Sequence, residues 1–229
     1  MGLLVMILTQ FFTLPALSPQ NLSFASNERV YEPQDPATYI YYIRSGEVRT
    51  FQVGDDGEGR LLEILGPGEW FNPAAFSNDQ ACGHRAIAAS HSSIVRVSAD
   101  RLLAELTRNA PAASVLLKQF AERLQRARED AASLVFCDCN ERLIRTLLQL
   151  SQTVAATPRP DGVELRITHL QLAQAVGAAR ETVSLALTDL RKQNLLRTGR
   201  NKLYFDPQVL RDLQAVCKTP PVTQDVAIN

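Results

Sequence analysis

Cysteine, histidine and tryptophan are scarce in this chain: four, three and one among 229 residues. The cysteines, at 82, 137, 139 and 217, are too few and too scattered for a disulfide framework, so a reducing cytoplasm is the simplest compartment. No set of ligand residues falls at metal-binding spacing. Cys137-Asp-Cys139 lacks the clustered geometry of a zinc or iron–sulfur site, and His84 and His91 have no third ligand, so no metal is expected. A Ser/His/Asp set and a phosphate-cradling glycine loop are also missing, and the chain is not read as an enzyme. Long apolar runs are missing too. The most apolar stretch, Met1-Gly-Leu-Leu-Val-Met-Ile-Leu8, ends at Thr9-Gln10, too short to span a bilayer. No Lys or Arg precedes Arg29, so it lacks the positive flank of a secretion signal. It reads as a docking segment or a start-site artefact, and no membrane partner is expected. Net charge is zero, 24 basic residues against 24 acidic.

What is present is a soluble composition, 45% hydrophobic and 21% charged, long enough for one large or two modest domains. The most informative stretch is Thr168 to Leu187. Leu170, Leu172, Ala173 and Val176 give one segment an apolar face; Val183, Ala186, Leu187 and Leu190 give a second. Gly177 stands where the turn between them needs positive φ, and Thr168 is placed to cap the first. This is the helix-turn-helix pattern, whose second helix presents its N-terminal residues to base edges. Arg180, Glu181 and Ser184 lead that helix; Arg can grip guanine O6 and N7, and Glu can accept from cytosine N4. From Arg166 to Tyr204 there are seven Lys/Arg against Glu181 and Asp189, a locally basic module in a neutral chain and thus the footprint of a phosphate-binding surface. Thr168, His169, Thr182, Lys192 and Arg200, at helix starts and on the wing, are the candidate phosphate contacts.

Upstream, from about Asn21 to Ser98, short β segments (29–31, 39–43, 47–53, 60–64, 85–89 and 93–97) are broken by Gly, Pro, Asp and Asn, with a hairpin loop at 55–59. The spacing predicts a rolled barrel or sandwich. A short helix over 99–105 precedes a long one opened by Asn109 and Pro111. Within the long helix Leu117, Phe120, Leu124, Ala127, Ala131 and Leu134 recur at steps of three and four, a heptad seam that predicts a parallel homodimer. The same helix could instead lie against its own barrel, and the two readings are compatible. Phe136-Cys-Asp-Cys-Asn140 breaks it, and Asp138 can cap a further helix from Glu141 to about Val154. The stretch 156–162 reads as a loop and 163–167 as a strand. Residues 195–205 read as a two-stranded wing turning at Gly199-Arg200-Asn201, and Asp206-Pro207 starts a last helix before a frayed tail after Lys218.

This order resembles the cyclic-AMP receptor protein / fumarate-nitrate regulator (Crp/Fnr) superfamily. Val176-Gly-Ala-Ala-Arg-Glu-Thr-Val-Ser-Leu-Ala-Leu-Thr-Asp-Leu190 with Gln193-Asn-Leu-Leu carries the resemblance most specifically. Tyr42-Ile-Arg-Ser-Gly-Glu-Val48, Leu65-Gly-Pro-Gly-Glu-Trp-Phe71 and Asp138 with Arg142-Leu143 support it. It implies an α+β chain: an N-terminal β-roll (a cyclic-nucleotide-binding-like double-stranded β-helix), a long dimerisation helix and a C-terminal winged helix-turn-helix. The expected boundaries are 1–20 for the apolar segment, 21–108 for the roll, 109–137 for the dimerisation helix, 138–218 for the DNA-binding domain and 219–229 for the tail. The implied function is a dimeric, cytoplasmic transcription regulator that binds double-stranded palindromic DNA and contacts RNA polymerase, the 157–162 loop standing where family members often touch it.

Arg180 and Glu181 stand at the family's base-reading positions. Leu185 replaces a further Arg of the cyclic-AMP branch and offers only apolar contact, for instance to a thymine methyl. Ala179 replaces a hydroxyl residue frequent at the start of this helix. The effector region departs further. Asn72-Pro73 stand where a carboxylate would meet the ribose, the phosphate-binding Arg falls on Cys82 or Gly83 with Arg85 nearby, and the adenine-contacting positions fall on Ala127 and Arg128. Cyclic-AMP control of the ordinary kind is therefore not expected, and no cofactor is assigned. The alternative is a ligand or redox sensor acting mainly through protein contacts, its DNA-binding domain vestigial; the basic residues around the second helix argue against it.

Overall fold

The structure, a computed structural model, describes residues 2–54, 59–77 and 80–217. The 55–58 part of the expected hairpin loop and the tail from 218 lie outside the described residues. Helix α1 (Gly2–Phe12) is followed by strands β1 (Gln20–Phe24), β2 (Arg29–Tyr31), β3 (Tyr39–Ser45), β4 (Val48–Val53), β5 (Gly59–Leu65), β6 (Trp70–Phe71), β7 (Arg85–Ala88) and β8 (Ser92–Ser98). These form two antiparallel four-stranded sheets, ordered β1-β8-β3-β6 and β2-β7-β4-β5, which together make the roll. Strand β3 explains how the roll is built into the rest of the molecule. Its unbroken run Tyr39-Ile-Tyr-Tyr-Ile43 is buried on both faces. Tyr41 and Ile43 point into the roll, while Ile40 and Tyr42 point outward to the helices, and β8 divides Ile94 from Val95 and Val97 in the same way.

That outer core is where the N-terminal segment goes. The apolar segment forms α1 and docks: Leu8, Phe11 and Phe12 are buried with Leu17 against Tyr42, Trp70 and the long helix, and Phe12 stacks on Tyr42 at 4.7 Å. Each such side chain contributes about 1.5–3 kcal/mol by leaving water. Helix α2 (Ala99–Leu106) leads to α3 (Ala110–Phe136), where Asn109 accepts from the Ala112 N–H at 3.1 Å and Pro111 occupies the first turn, as the sequence predicts. Ala112, Val115 and Leu116 face α1 and the roll. Phe120, placed in the heptad seam by its spacing, packs instead within its own chain, 4.7 Å from Trp70 and 5.8 Å from Phe76. Trp70 is fully buried, and Phe120 packs against its ring from the helix. The exposed apolar line of α3 runs through Leu117, Leu124 and Leu134, at 68%, 53% and 44% exposure, with Ala127 and Ala131 also exposed.

After an extended break at Cys137, α4 (Cys139–Leu150) opens on a full capping box: Asp138 accepts from the Glu141 N–H at 2.8 Å, and Glu141 accepts from the Asp138 N–H at 3.0 Å. The next segment corrects the sequence reading. Residues 156–162 hold not a bare loop but strand β9 (Ala156–Arg159), hairpin-paired with β10 (Gly162–Arg166). Pro158 and Pro160 mark a loop by composition, yet β9 is an edge strand, where a missing N–H can face solvent. Helices α5 (His169–Val176) and α6 (Arg180–Lys192), strands β11 (Leu196–Gly199) and β12 (Lys202–Phe205), and α7 (Pro207–Cys217) are the remaining elements of the described residues, the third sheet being ordered β11-β12-β10-β9. No helix of the described residues is long and apolar enough to cross a membrane.

Candidate nucleic-acid interface

Local chemistry sets the two helices. Thr168 accepts from the Gln171 N–H at 3.1 Å while the Gln171 side chain accepts from the Thr168 N–H at 3.2 Å, a second capping box that starts α5. Gly177 ends it at φ +71°, and a Cβ there would meet Leu134 Cδ2 at 3.1 Å, so both the turn and the close approach of α3 favour glycine. Helix α6 then buries Val183, Ala186, Leu187 and Leu190 in a core shared with α4 and α5. Its opposite face presents Arg180, Glu181, Thr182 and Leu185 to solvent, Leu185 at 69% exposure. Arg180, Glu181 and Thr182 make no side-chain hydrogen bond or ion pair among the described residues, leaving their polar groups open for a partner. Ser184 differs: it is half-buried, with its hydroxyl 3.4 Å from His169 Nδ1, so that the first residue of α5 and the second turn of α6 meet across the motif.

The remaining phosphate candidates divide in the same manner. Arg200 is exposed at the turn between β11 and β12, whereas Lys192 lies 3.3 Å from Asp189 on its own helix. The basic excess counted along the sequence is also partly neutralised by carboxylates from outside the segment. Arg166 lies 3.9 Å from Glu47, Lys202 2.5 Å from Glu164, and Arg197 pairs with Asp161. Arg180, Arg191 and Arg200 remain unpaired among the described residues, so the open positive charge is concentrated on α6 and the wing tip.

The candidate effector residues are not gathered into one site. Asn72 is fully buried at φ +69°, its amide donating to the Tyr39 carbonyl at 2.9 Å, and Pro73 opens a short 3-10 turn. Cys82 is buried beside it, and burial pushes its thiol up to about 11, away from reactive thiolate. Gly83 is exposed at the strand entry. Arg85 donates to Glu32 at 2.8 Å and is therefore committed within the roll. Ala127 and Arg128 stand exposed on α3, and it is Arg123 that faces the roll, 4.5 Å above the Trp70 ring and bonded to the Trp70 carbonyl at 2.6 Å. Inside the roll Tyr31, Tyr41 and Phe71 pack with centroids 5.1–6.0 Å apart. Tyr31 also bonds His84 Nε2 at 2.6 Å, while His84 Nδ1 bonds the Cys82 carbonyl at 2.8 Å.

Sequence reasoning missed the link between roll and DNA-binding domain. Leu61 and Ile64 of β5 belong to the same buried core as α4, α5 and α6, with Phe51 packed against it. Arg49 of β4 bonds Gln171 Oε1 at 2.8 Å across 122 residues. No local signal could have found it, since Arg49 reads as an ordinary strand charge.

Comparison with known proteins supplies independent context. Residues 21–109 match the family described as cyclic nucleotide-binding domain, and residues 141–213 match the Crp-like helix-turn-helix domain. A CRP-like cAMP-activated global transcriptional regulator of Mycobacterium tuberculosis is 30% identical over 196 residues, covering 83% of this chain and 86% of the relative. The cAMP-activated global transcriptional regulator CRP of Haemophilus influenzae is 30% identical over 164 residues, 71% of this chain and 73% of the relative. Among solved structures, the c-di-GMP responsive global regulator CLP of Xanthomonas campestris superposes with a TM-score of 0.74 at 25% identity, over 87% of this chain and 98% of that one.

Proposed function

This chain belongs to the Crp/Fnr superfamily of bacterial transcription regulators, and we propose that it reads a palindromic operator as a homodimer and, given its own roll residues, without control by cyclic AMP. A regulator of this kind with a helix-turn-helix DNA-binding domain acts by binding rather than by catalysis, and its relatives are regulators, not enzymes. The observation that carries the finer reading is the start of α6. Arg180, Glu181, Thr182 and Leu185 are exposed together on a helix whose other face is fully packed. In this reading Arg180 and Glu181 read bases, Ser184 assists from its place against His169, and Leu185 selects a thymine methyl. Thr168, His169, Thr182, Lys192 and Arg200 hold the phosphates. The exposed line Leu117, Leu124, Ala127, Ala131 and Leu134 on α3 is the seam with the second copy, and two recognition helices related by a two-fold axis call for a palindrome. RNA polymerase is the expected further partner, in the cytoplasm where such DNA lies.

The residues of the roll argue against cyclic-nucleotide control. The ligand brings a phosphate charge and a ribose hydroxyl. Arg85 is already neutralised by Glu32, Pro73 offers no carboxylate, and aromatic side chains occupy the roll interior. An unpaired phosphate in such a site is costly. The cAMP-activated relatives carry that property in their own names; this chain's residues argue the other way.

The deciding experiment is a fluorescence-anisotropy titration of wild-type protein and Arg180→Ala against family-type palindromes and scrambled duplexes at physiological salt. The substitution weakens specific binding by about 1–3 kcal/mol and relaxes one base position. An equal loss on both kinds of DNA would remove the base-reading role.

A further inference from the structure

Helix α5 is held at both ends by arginines that lie outside it. At its C-terminal end Arg142 of α4 donates from Nε to the Val176 carbonyl at 3.2 Å and from Nη1 to the Cys137 carbonyl at 3.0 Å. These bonds tie the helix-turn-helix to the interdomain break. The N-terminal end is held from the roll. Arg49 donates from Nε to Glu47 Oε1 at 2.7 Å, from Nη1 to Gln171 Oε1 at 2.8 Å and from Nη2 to the Arg166 carbonyl at 3.2 Å. Its side chain is 12% exposed and that of Glu47 9%. The planar guanidinium fork thus spends its three nitrogens on three acceptors in fixed directions, one in the roll and two in the winged domain. The Gln171 oxygen it grips is the same one that accepts from the Thr168 N–H, so the roll holds the cap of the first helix itself. Beneath this contact Leu61 and Ile64 enter the core of the winged domain.

The consequence is geometric. In a dimer joined along α3, the distance and angle between two recognition helices depend on how each winged domain sits on its own roll. The chain link, Cys137-Asp138, is two extended residues and does not by itself set that orientation. Adding one base pair between half-sites moves them by about 3.4 Å and turns them by about 35°. A winged domain free to swivel follows such a change; one fixed to its roll does not. We infer that Arg49 is a positioning residue that sets the half-site spacing this protein accepts, by holding the start of α5 to the roll. This rests on the dimeric, palindrome-reading function above.

The test measures binding to a series of palindromes whose central spacer is shortened or lengthened by one and two base pairs, using full-length wild-type protein, Arg49→Ala and Arg49→Lys. Melting temperatures establish that each variant is folded. Lysine keeps the charge beside Glu47, but its donors sit on one nitrogen and cannot span the acceptors that Arg49 reaches from three, so it loses the hold with the least risk to folding. Wild-type protein loses at least about tenfold in affinity at two base pairs from its best spacer, the scale of one lost base contact. In both variants this penalty falls to about threefold or less, while affinity at the best spacer weakens modestly. A spacer profile in folded Arg49→Lys that parallels wild type, including a uniform loss at every spacing, would overturn the proposal, as would a gain in affinity at the best spacer. If wild-type protein itself ignores spacing and palindromy, the dimeric reading fails and takes this inference with it; that result is distinct from a wild-type preference that Arg49 does not control.

Discussion

Ala179 sits at the N-cap of α6 with extended backbone, φ −63° and ψ 146°, but has no side-chain oxygen to satisfy the helix's first N–H groups. The two neighbouring helices, which open on Asp138 and Thr168, have full capping boxes. Ala179→Ser therefore supplies an acceptor for the Thr182 N–H and stabilises the fold by about 1 kcal/mol. A thermal melt should register this as a rise of about 2–4 °C; an unchanged melting temperature would mean that the helix start is already satisfied by solvent. His84 gives a second test on the same scale. Burial lowers its pKa from the usual 6.5, opposed by the Cys82 carbonyl and by Glu63. Tyr31, whose phenol burial holds protonated, donates to Nε2 of the neutral ring. A folded pKa below the unfolded one means that the unfolded chain binds more protons in the interval between them. Stability is then complete above about 6.5 and declines as pH falls below it. His84→Gln should flatten that decline in melts taken at descending pH, and a slope equal to wild type would assign it to other groups.

Among the elements, α3 divides its apolar residues between two faces. Val115, Leu116 and Phe120 serve its own chain, whereas Leu117 and Leu124 are exposed. In the proposed homodimer, Leu124→Glu places like charges opposite each other across the two-fold seam and should give a monomer, read as half the wild-type mass in light scattering at micromolar protein. Melting of the monomer should show the roll still folded, because Leu124 takes no part in its buried cores. A dimer that survives the substitution would place the seam elsewhere. The sheet elements show the converse of such legibility. Strand β9 was hidden by Pro158 and Pro160, whereas β3 was legible as a strand over 39–43.

For the whole molecule, the roll and the winged domain share one buried core. The roll interior is filled by Tyr31, Tyr41 and Phe71, and its one nearby cation among the sequence candidates is paired to Glu32. Millimolar cyclic AMP should therefore leave both melting temperature and operator affinity unchanged. A ligand that binds only the folded state at a hundred times its Kd would add about 2.7 kcal/mol, an effect easily seen in a melt. A clear upward shift would show that the aromatic side chains give way and restore the ordinary mode of control.

The sequence alone determined the features whose causes lie within a few residues of each other. The capping pairs Asp138–Glu141 and Thr168–Gln171 span three positions, the glycine turn at 177 is one residue, and the apolar faces of α5 and α6 repeat within two turns. These suffice to identify the helix-turn-helix and the residues at the head of its second helix. The tertiary structure alone decided the contacts that close long stretches of chain. They include the docking of α1 under Tyr42 and Trp70, the pairing of Arg85 with Glu32 across 53 residues, the turn of Phe120 toward Trp70, and the hold of Arg49 on Gln171 across 122. Such pairs carry no local periodicity or cap signature. Their formation depends on which strands become neighbours when the sheets close, and that is a property of the fold rather than of any window of sequence.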